Sequence, residues 1–300
     1  MTNNKPTRCG FVTLIGAPNA GKSTLLNRMV GSKIAIVTPK VQTTRNRILG
    51  MTISDKTQLI FVDTPGIFGA KKKFEKAMVK SALDGAKDAD VVLLMVDAYK
   101  GLCDNTKHII EQLKTAEHLS KILVINKIDT VKKERLPELI KQTYDLLDFE
   151  DCFLISADKG DGVLDLKKHL TQNLPEGPWL YDEDTMTDVP MRQLAAEVTR
   201  EKLFMRLQQE LPYSITVDTE NWEEKDDGSV KIQQIVYVRS ESQKMIVLGK
   251  GGSMLKEVGQ SARTDLTKIM KRKVHLFLFV KVSEKWKENK EFYDTLGLEF

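Results

Sequence analysis

The chain has 300 residues, of which 41% are hydrophobic and 29% charged, with 18 Gly and 9 Pro; this composition excludes collagen-like, low-complexity and wholly disordered classes. The length suits two separately cored domains, and a net charge of +4 is too small to name a partner. Three scattered cysteines (Cys9, Cys103, Cys152), a longest apolar run of only Val91 to Val96 and an N-terminus without a basic-then-apolar signal argue against a disulfide framework, a cysteine-based zinc site, a membrane span and signal-directed export, so a cytoplasmic protein is expected.

From residue 11 to 173 apolar strands alternate with amphipathic helical stretches. The strands are expected at Phe11 to Ile15, Ile48 to Ile53, Leu59 to Val62, Val91 to Val96, Ile122 to Ile125 and Cys152 to Ile155. A helical stripe through Phe74, Met78, Ala82 and Leu83 is typical of the segments between them. The pattern predicts an α/β domain over 1–174, with a mostly parallel six-stranded sheet and helices on both faces.

Directly after the first strand stands Gly16-Ala17-Pro18-Asn19-Ala20-Gly21-Lys22-Ser23, followed by Thr24 and a helical stretch to Val30. Strand, glycine-rich loop and helix in that order form the context in which G-x-x-x-x-G-K-[ST] binds phosphate. Glycine lets the backbone curl closely around the anion, and the N–H groups at the start of the helix face it. Lys22 is expected on the β- and γ-phosphates, and the Ser23 hydroxyl on Mg²⁺. Thr43-Thr44-Arg45 precedes the second strand, and Thr44, or Thr43 beside it, would complete the Mg²⁺ shell when the γ-phosphate is present. Asp63-Thr64-Pro65-Gly66 follows the third strand; Asp63 would hold Mg²⁺ through water and the Gly66 N–H would sense the γ-phosphate.

Asn126-Lys127-Ile128-Asp129, after the fifth strand, names the base. A carboxylate at Asp129 accepts from guanine N1–H and the exocyclic amine, whereas adenine presents an acceptor there. Lys127 would lay its stem over the base, and Asn126 would tie this loop to the phosphate loop. Ser156-Ala157, after the sixth strand, would offer backbone N–H to guanine O6.

Residues 175–189 carry prolines, Gly177 and an acidic run, poor material for a helix or central strand, and are expected to be a linker. Beyond it, 190–300 changes rhythm to helix, strand, strand, helices, strand: Met191, Leu194, Val198 and Met205 on one helical face, strands at Tyr213 to Val217, Ile232 to Val238 and Val274 to Val282. The stretch from Arg239 to Lys281 holds ten basic residues against three acidic ones. Within it Gly249-Lys250-Gly251-Gly252 lies between two helical stretches, where side-chain-free backbone admits a sugar-phosphate chain; Lys244 and Ile246 just ahead of the loop join the RNA-binding set. His108, His118, His169 and His275 are dispersed without metal-ligand spacing. Trp286, Phe292 and Tyr293 in the tail suggest a helix packed on the second domain, with membrane contact as the alternative.

The ordered set of phosphate loop, TTR, DTPG, NKID and SA resembles the translation-factor class of GTPases, and GAPNAGKS together with the apolar residue after DTPG resembles its Era-like family. The helix and strand order around GKGG is similar to a type II K homology (KH) domain. Relatives of the MnmE type place the GTPase inside other domains, and Der-like chains carry two such domains, unlike this one. The resemblance implies slow GTP hydrolysis to GDP and phosphate with Mg²⁺, and K⁺ bound near Asn19. Ile67 stands where Ras-like GTPases carry a water-orienting glutamine, so transition-state stabilisation must come from elsewhere. It further implies a monomer that binds the 3′ end of 16S ribosomal RNA, assists processing of that RNA and biogenesis of the small (30S) ribosomal subunit, and associates peripherally with the inner membrane. The alternatives are an RNA-binding assembly factor whose nucleotide is only structural, and a GTPase of the same class acting on a different RNA.

Overall fold

The computed structural model describes residues 6–40, 43–45, 47–65, 89–116 and 119–283. Gly66, Ile67, the stripe through Phe74, Met78, Ala82 and Leu83, His118, and the tail residues Trp286, Phe292 and Tyr293 lie outside them. Among the described residues two compact units emerge: one takes in 6–34 and 44–188, the other 35–43 and 189–283.

The first unit is built on six strands: β1 (Arg8–Gly16), β2 (Ile48–Ser54), β3 (Thr57–Asp63), β4 (Val91–Asp97), β5 (Ser120–Asn126) and β6 (Asp151–Ile155), in spatial order β2-β3-β1-β4-β5-β6. Only the β2–β3 pairing is antiparallel. It is closed by the two-residue turn Asp55-Lys56, with Asp55 at φ 53. β4 is buried along its whole length, which its unbroken apolar sequence requires of a strand covered on both faces. Around the sheet lie α1 (Lys22–Val30), α2 (Asp104–Lys114), α3 (Leu136–Tyr144) and α4 (Val163–Asn173). Ile109, Ile110 and Leu113 of α2 and Leu136 and Leu139 of α3 share one core cluster with Val92, Leu94, Leu123 and Ile125.

β1 sits between β3 and β4, so the strand order reverses direction at its carboxyl end. Open α/β sheets bind ligands at such a switch point, and that is where the loop Gly16 to Gly21 leaves the sheet. Three strand ends, Ile48, Val91 and Ile155, fall where expected, and the others lie one to three residues farther out, because partners such as Arg8↔Thr57 complete ladders that hydrophobicity does not mark.

Residues 175–188 form neither helix nor strand but lie along the first unit. Trp179 and Tyr181 pack on Cys9, Leu49, Met51, Ile60 and Val62. The open edge of β2 is covered: Met51 N–H donates to Met186 O at 2.9 Å and Leu49 N–H to the Asp188 carboxylate at 3.0 Å. Gln58 also fixes the segment, accepting from Leu180 and Tyr181 N–H and donating to Tyr181 O.

The second unit runs α5 (Met191–Arg206), β7 (Thr216–Glu224), β8 (Val230–Val238), α6 (Glu241–Leu248), α7 (Ser253–Met270) and β9 (Val274–Val282). Its sheet has the order β7-β8-β9, antiparallel then parallel. The helix, strand, strand, helix, helix, strand sequence is as expected, with local differences: β7 runs seven residues past its expected end at Val217, because Asn221 to Glu224 pair with Gln233 to Val230, and β8 begins two residues early. The strand expected from Tyr213 starts only at Thr216, because Pro212 opens a short 3-10 turn and the Tyr213 ring packs edge-on against Phe204, 5.8 Å between centroids. Met191 and Met205 are exposed, and the buried face of α5 runs instead through Leu194, Ala195, Val198, Leu203 and Phe204.

Candidate functional site

The phosphate loop is wound by two left-handed residues, Asn19 (φ 65) and Gly21 (φ 100), and Ala20 N–H closes back on Ala17 O at 3.1 Å. A side chain at Gly21 would meet a second obstacle, since its Cβ would lie 2.1 Å from Asn126 Nδ2. Lys22, the first residue of α1, folds its ammonium back onto the loop, donating to Gly16 O at 2.9 Å and Ala17 O at 3.3 Å. Burial lowers the Lys22 pKa to about 8, against the opposing pull of the Asp63 charge. Such a poorly solvated cation gains most from a polyanion placed beside it.

One residue along, the Ser23 hydroxyl donates to Asp63 Oδ2 at 2.6 Å and shares a hydrogen bond of 2.9 Å with the Thr44 hydroxyl. Asp63 ends β3 and is fully buried; burial raises its pKa to about 6, although Lys22, Ser23 and Thr44 each favour the carboxylate. Its Oδ1 is buried without a hydrogen-bond partner among the described residues. Two hydroxyls and a carboxylate, one of whose oxygens is orphaned, form a hard, all-oxygen set, the chemistry that fits Mg²⁺. Thr43 goes elsewhere: its hydroxyl bonds Thr38 Oγ1 at 2.7 Å and Lys40 O at 2.8 Å. The structure thus brings Thr44, and not Thr43, to Ser23.

The base-side loops are tied to the phosphate loop by one buried amide. Asn126 donates from Nδ2 to Ala20 O at 2.8 Å and accepts at Oδ1 from Ala157 N–H at 2.9 Å. Lys127 adopts φ 65 and leads into a 3-10 turn that leaves the Asp129 carboxylate exposed, with no partner among the described residues. A correction arises at Ser156 and Ala157. Both N–H groups, expected to face guanine O6, are taken within the protein: Ser156 N–H bonds Asp161 O at 3.0 Å, and Ala157 N–H is the one held by Asn126. Ala157 braces the loop in this structure.

Two positioning groups escaped the sequence reading. Asp97, at the end of β4 and paired in register with Asn126, holds the Lys127 ammonium at 2.7 Å and caps Tyr99 N–H. Arg28 of α1 donates to Ala157 O at 3.1 Å and to Asp158 O. Asp97 was open to detection as a charge ending a buried strand; Arg28 carried no sequence signal.

In the second unit α6, capped by Ser240, ends at Gly249, and the loop to α7 takes three positive φ values, Gly249 (72), Gly251 (57) and Gly252 (79). A Cβ at Gly249 would strike Met254 at 2.9 Å, whereas Gly251 and Gly252 face open space. The loop therefore presents bare backbone and the exposed Lys250 to solvent at the start of an 18-residue helix. Ile246 is exposed beside it, as is Met245, which sequence reasoning passed over. Lys244 is half-buried, with Glu241 3.6 Å away.

The family described as "50S ribosome-binding GTPase" matches residues 11–127, and the KH domain family matches 210–287. The chain is 52% identical to a GTPase Era of Sinorhizobium medicae over 98% of this chain and 95% of that one. It is 51% identical to a GTPase Era of Brucella suis over 100% and 96%. Among solved structures, a variant of Aquifex aeolicus Era bound to GDP and AlF4⁻ superposes with a TM-score of 0.91 at 38% identity, covering 97% of this chain and 99% of its own. A second Era structure, in complex with MgGDPNP and nucleotides 1506–1542 of 16S ribosomal RNA, matches with the same score, identity and coverage.

Proposed function

The chain belongs to the Era family of GTPases, and from that membership we propose that its hydrolysis of GTP to GDP and phosphate switches the hold of its KH domain on the 3′ end of 16S ribosomal RNA during assembly of the 30S subunit. The observation that carries this reading is the Ser23–Thr44–Asp63 cluster beside Lys22, because it draws three separate loops to one point where a γ-phosphate would lie. The RNA target follows the relative solved with nucleotides 1506–1542 of 16S ribosomal RNA, and the open Gly249–Gly252 loop suits a sugar-phosphate backbone.

In this reading Lys22 and the loop N–H groups take up the charge that gathers on the β–γ bridge as water attacks the γ-phosphorus in line. The P–O bond to the β-phosphate breaks, GDP departs with that electron pair, and the proton of the attacking water ends on phosphate. Ser23, Thr44 and Asp63 are the residues that would hold Mg²⁺, which supplies charge neutralisation of the phosphates. Asn126, braced on both sides, keeps the base loop in register with the phosphate loop, and Asp129 selects guanine. Once the γ-phosphate leaves, nothing ties Thr44 to the nucleotide, and its loop is released.

The same reading includes K⁺ beside Asn19, a left-handed residue of the phosphate loop at φ 65, as a further charge at the site. It also includes residence in the cytoplasm as a monomer with peripheral association with the inner membrane; among the described residues no helix is long and apolar enough to cross one. The test is single-turnover hydrolysis by the parent and by Lys22→Ala, in K⁺ and in Na⁺, with 16S 3′-end RNA binding measured alongside. The reading requires Lys22→Ala to be inactive and K⁺ to accelerate the parent. A Lys22→Ala protein that turns over GTP at the parent rate ends it.

A further inference from the structure

The described residues between Ala35 and Thr43, which precede Thr44, associate with the second unit, and the groups that hold them are unusual. Arg200 and Glu201 of α5 are 1% and 2% exposed, and neither residue type is often so deeply buried without a partner to satisfy. Glu201 Oε1 accepts Val37 N–H at 2.9 Å. Arg200 Nη2 donates to Thr43 O at 2.5 Å, while Glu197 braces the guanidinium through Nε at 2.7 Å and the Phe204 ring lies 4.9 Å from its centre. Lys40 Nζ donates to Leu207 O just beyond the helix. Two of these three ties are made to loop backbone, so they fix its shape rather than read its side chains.

On the other side of Glu201 the chain of contacts continues. Lys202 bridges Glu201 at 3.0 Å and Asp265 at 2.5 Å, and Asp265 lies on α7, the helix whose first turn follows the Gly249–Gly252 loop. Apolar residues in place of buried ions are often neutral or stabilising, so a pair of them holding a loop by its backbone is poorly explained by packing alone.

We propose that Arg200 and Glu201 are positioning residues for the GTPase reaction: they grip the loop at Val37 and Thr43, set through the Thr43–Thr44 peptide bond where the Thr44 hydroxyl stands, and carry its ordering through Lys202 and Asp265 to the helix that bears the RNA-binding loop. This rests on the function proposed above. It predicts a loss in turnover without a matching loss in nucleotide binding, because the partners of both residues lie outside the phosphate and base loops.

The experiment uses the full chain with Arg200→Met, Glu201→Leu, Glu201→Gln and, on the loop side, Lys40→Ala. Three quantities are read: kcat and KM for GTP, melting temperature, and the ratio of affinities for a 16S 3′-end oligoribonucleotide with GDPNP against GDP. Arg200→Met and Glu201→Leu are expected to lower kcat about tenfold with KM within about threefold, and to bring the RNA ratio towards one. Glu201→Gln, whose amide oxygen still accepts Val37 N–H, is expected to keep most of both. Lys40→Ala removes one tie without touching α5 and is expected to lower kcat in the same sense, which keeps the test alive if a helix variant fails to fold. Folded variants with parent kcat and parent ratio overturn the proposal. If the parent itself shows a ratio of one, the coupling of nucleotide to RNA fails instead, and the positioning role is then decided by kcat alone.

Discussion

Replacing Asn126 by Asp changes one atom and tests the joint between the phosphate loop and the base loops. Oδ1 would still accept Ala157 N–H, but the atom facing Ala20 O, now a donor at 2.8 Å, would become an oxygen. Losing that bond and leaving a buried carbonyl unpaired costs about 1–3 kcal/mol. The side chain is 1% exposed, so an ionised carboxylate adds a desolvation penalty of the order of a few kcal/mol. The sum, about 3–5 kcal/mol, is divided between a less stable nucleotide-free protein and weaker nucleotide binding. The penalty also has a pH signature. The introduced acid would have a folded-state pKa above its unfolded value, so the cost is full above that pKa and fades as pH falls, when the protonated acid can again donate to Ala20 O. Calorimetric titration with GDP and thermal melts, each at about pH 8 and about pH 5.5 against the parent, measure both shares. An Asn126→Asp protein with parent melting temperature and parent GDP affinity at the higher pH refutes the brace.

Three further outcomes follow from the same geometry. Lys22→Met should abolish turnover yet raise the melting temperature of the nucleotide-free protein, because a buried ammonium is removed; since the folded-state pKa of Lys22 is lowered to about 8, the parent should recover part of that deficit as pH rises from about 8 to 10.5, by at most about 3 kcal/mol, while Lys22→Met should show no such rise. Asp129→Asn should move preference from guanine to xanthine nucleotides, measured by competition binding; unchanged guanine preference would remove the carboxylate from base selection. Replacing Gly251 and Gly252 together with Asp should abolish oligoribonucleotide binding while GDP affinity stays put, because both positions face open space and the damage is confined to loop charge and backbone strain.

The parts legible in the sequence were those with local grammar. Gly16 to Ser23 after a strand, Asp63 after another and Asn126 to Asp129 after a third were placed by periodicity and motif alone, and the sheet order then brings all three to one edge. Features decided by packing were not legible. Met191 and Met205 share a helical face with Val198 in a periodicity count, yet they lie on solvent, because α5 buries a stripe through Leu203 and Phe204 instead. The prolines of 175–188 correctly marked a segment without regular structure but could not show it sealing the edge of β2. The choice between Thr43 and Thr44 needed coordinates, since identical side chains one residue apart point to different partners. The role expected of Ala157 N–H depended on a site residue, Asn126, whose amide reaches both neighbouring loops.

The central claim is that the nucleotide held by the first unit governs how tightly the second holds RNA. Fluorescence anisotropy of a labelled oligoribonucleotide matching the 3′ end of 16S ribosomal RNA, titrated with the protein saturated in turn with GDPNP and GDP in the presence of Mg²⁺, measures it directly. The account predicts at least about tenfold tighter binding with GDPNP, the size typical of coupling between two sites. Equal affinities in the two states would contradict it.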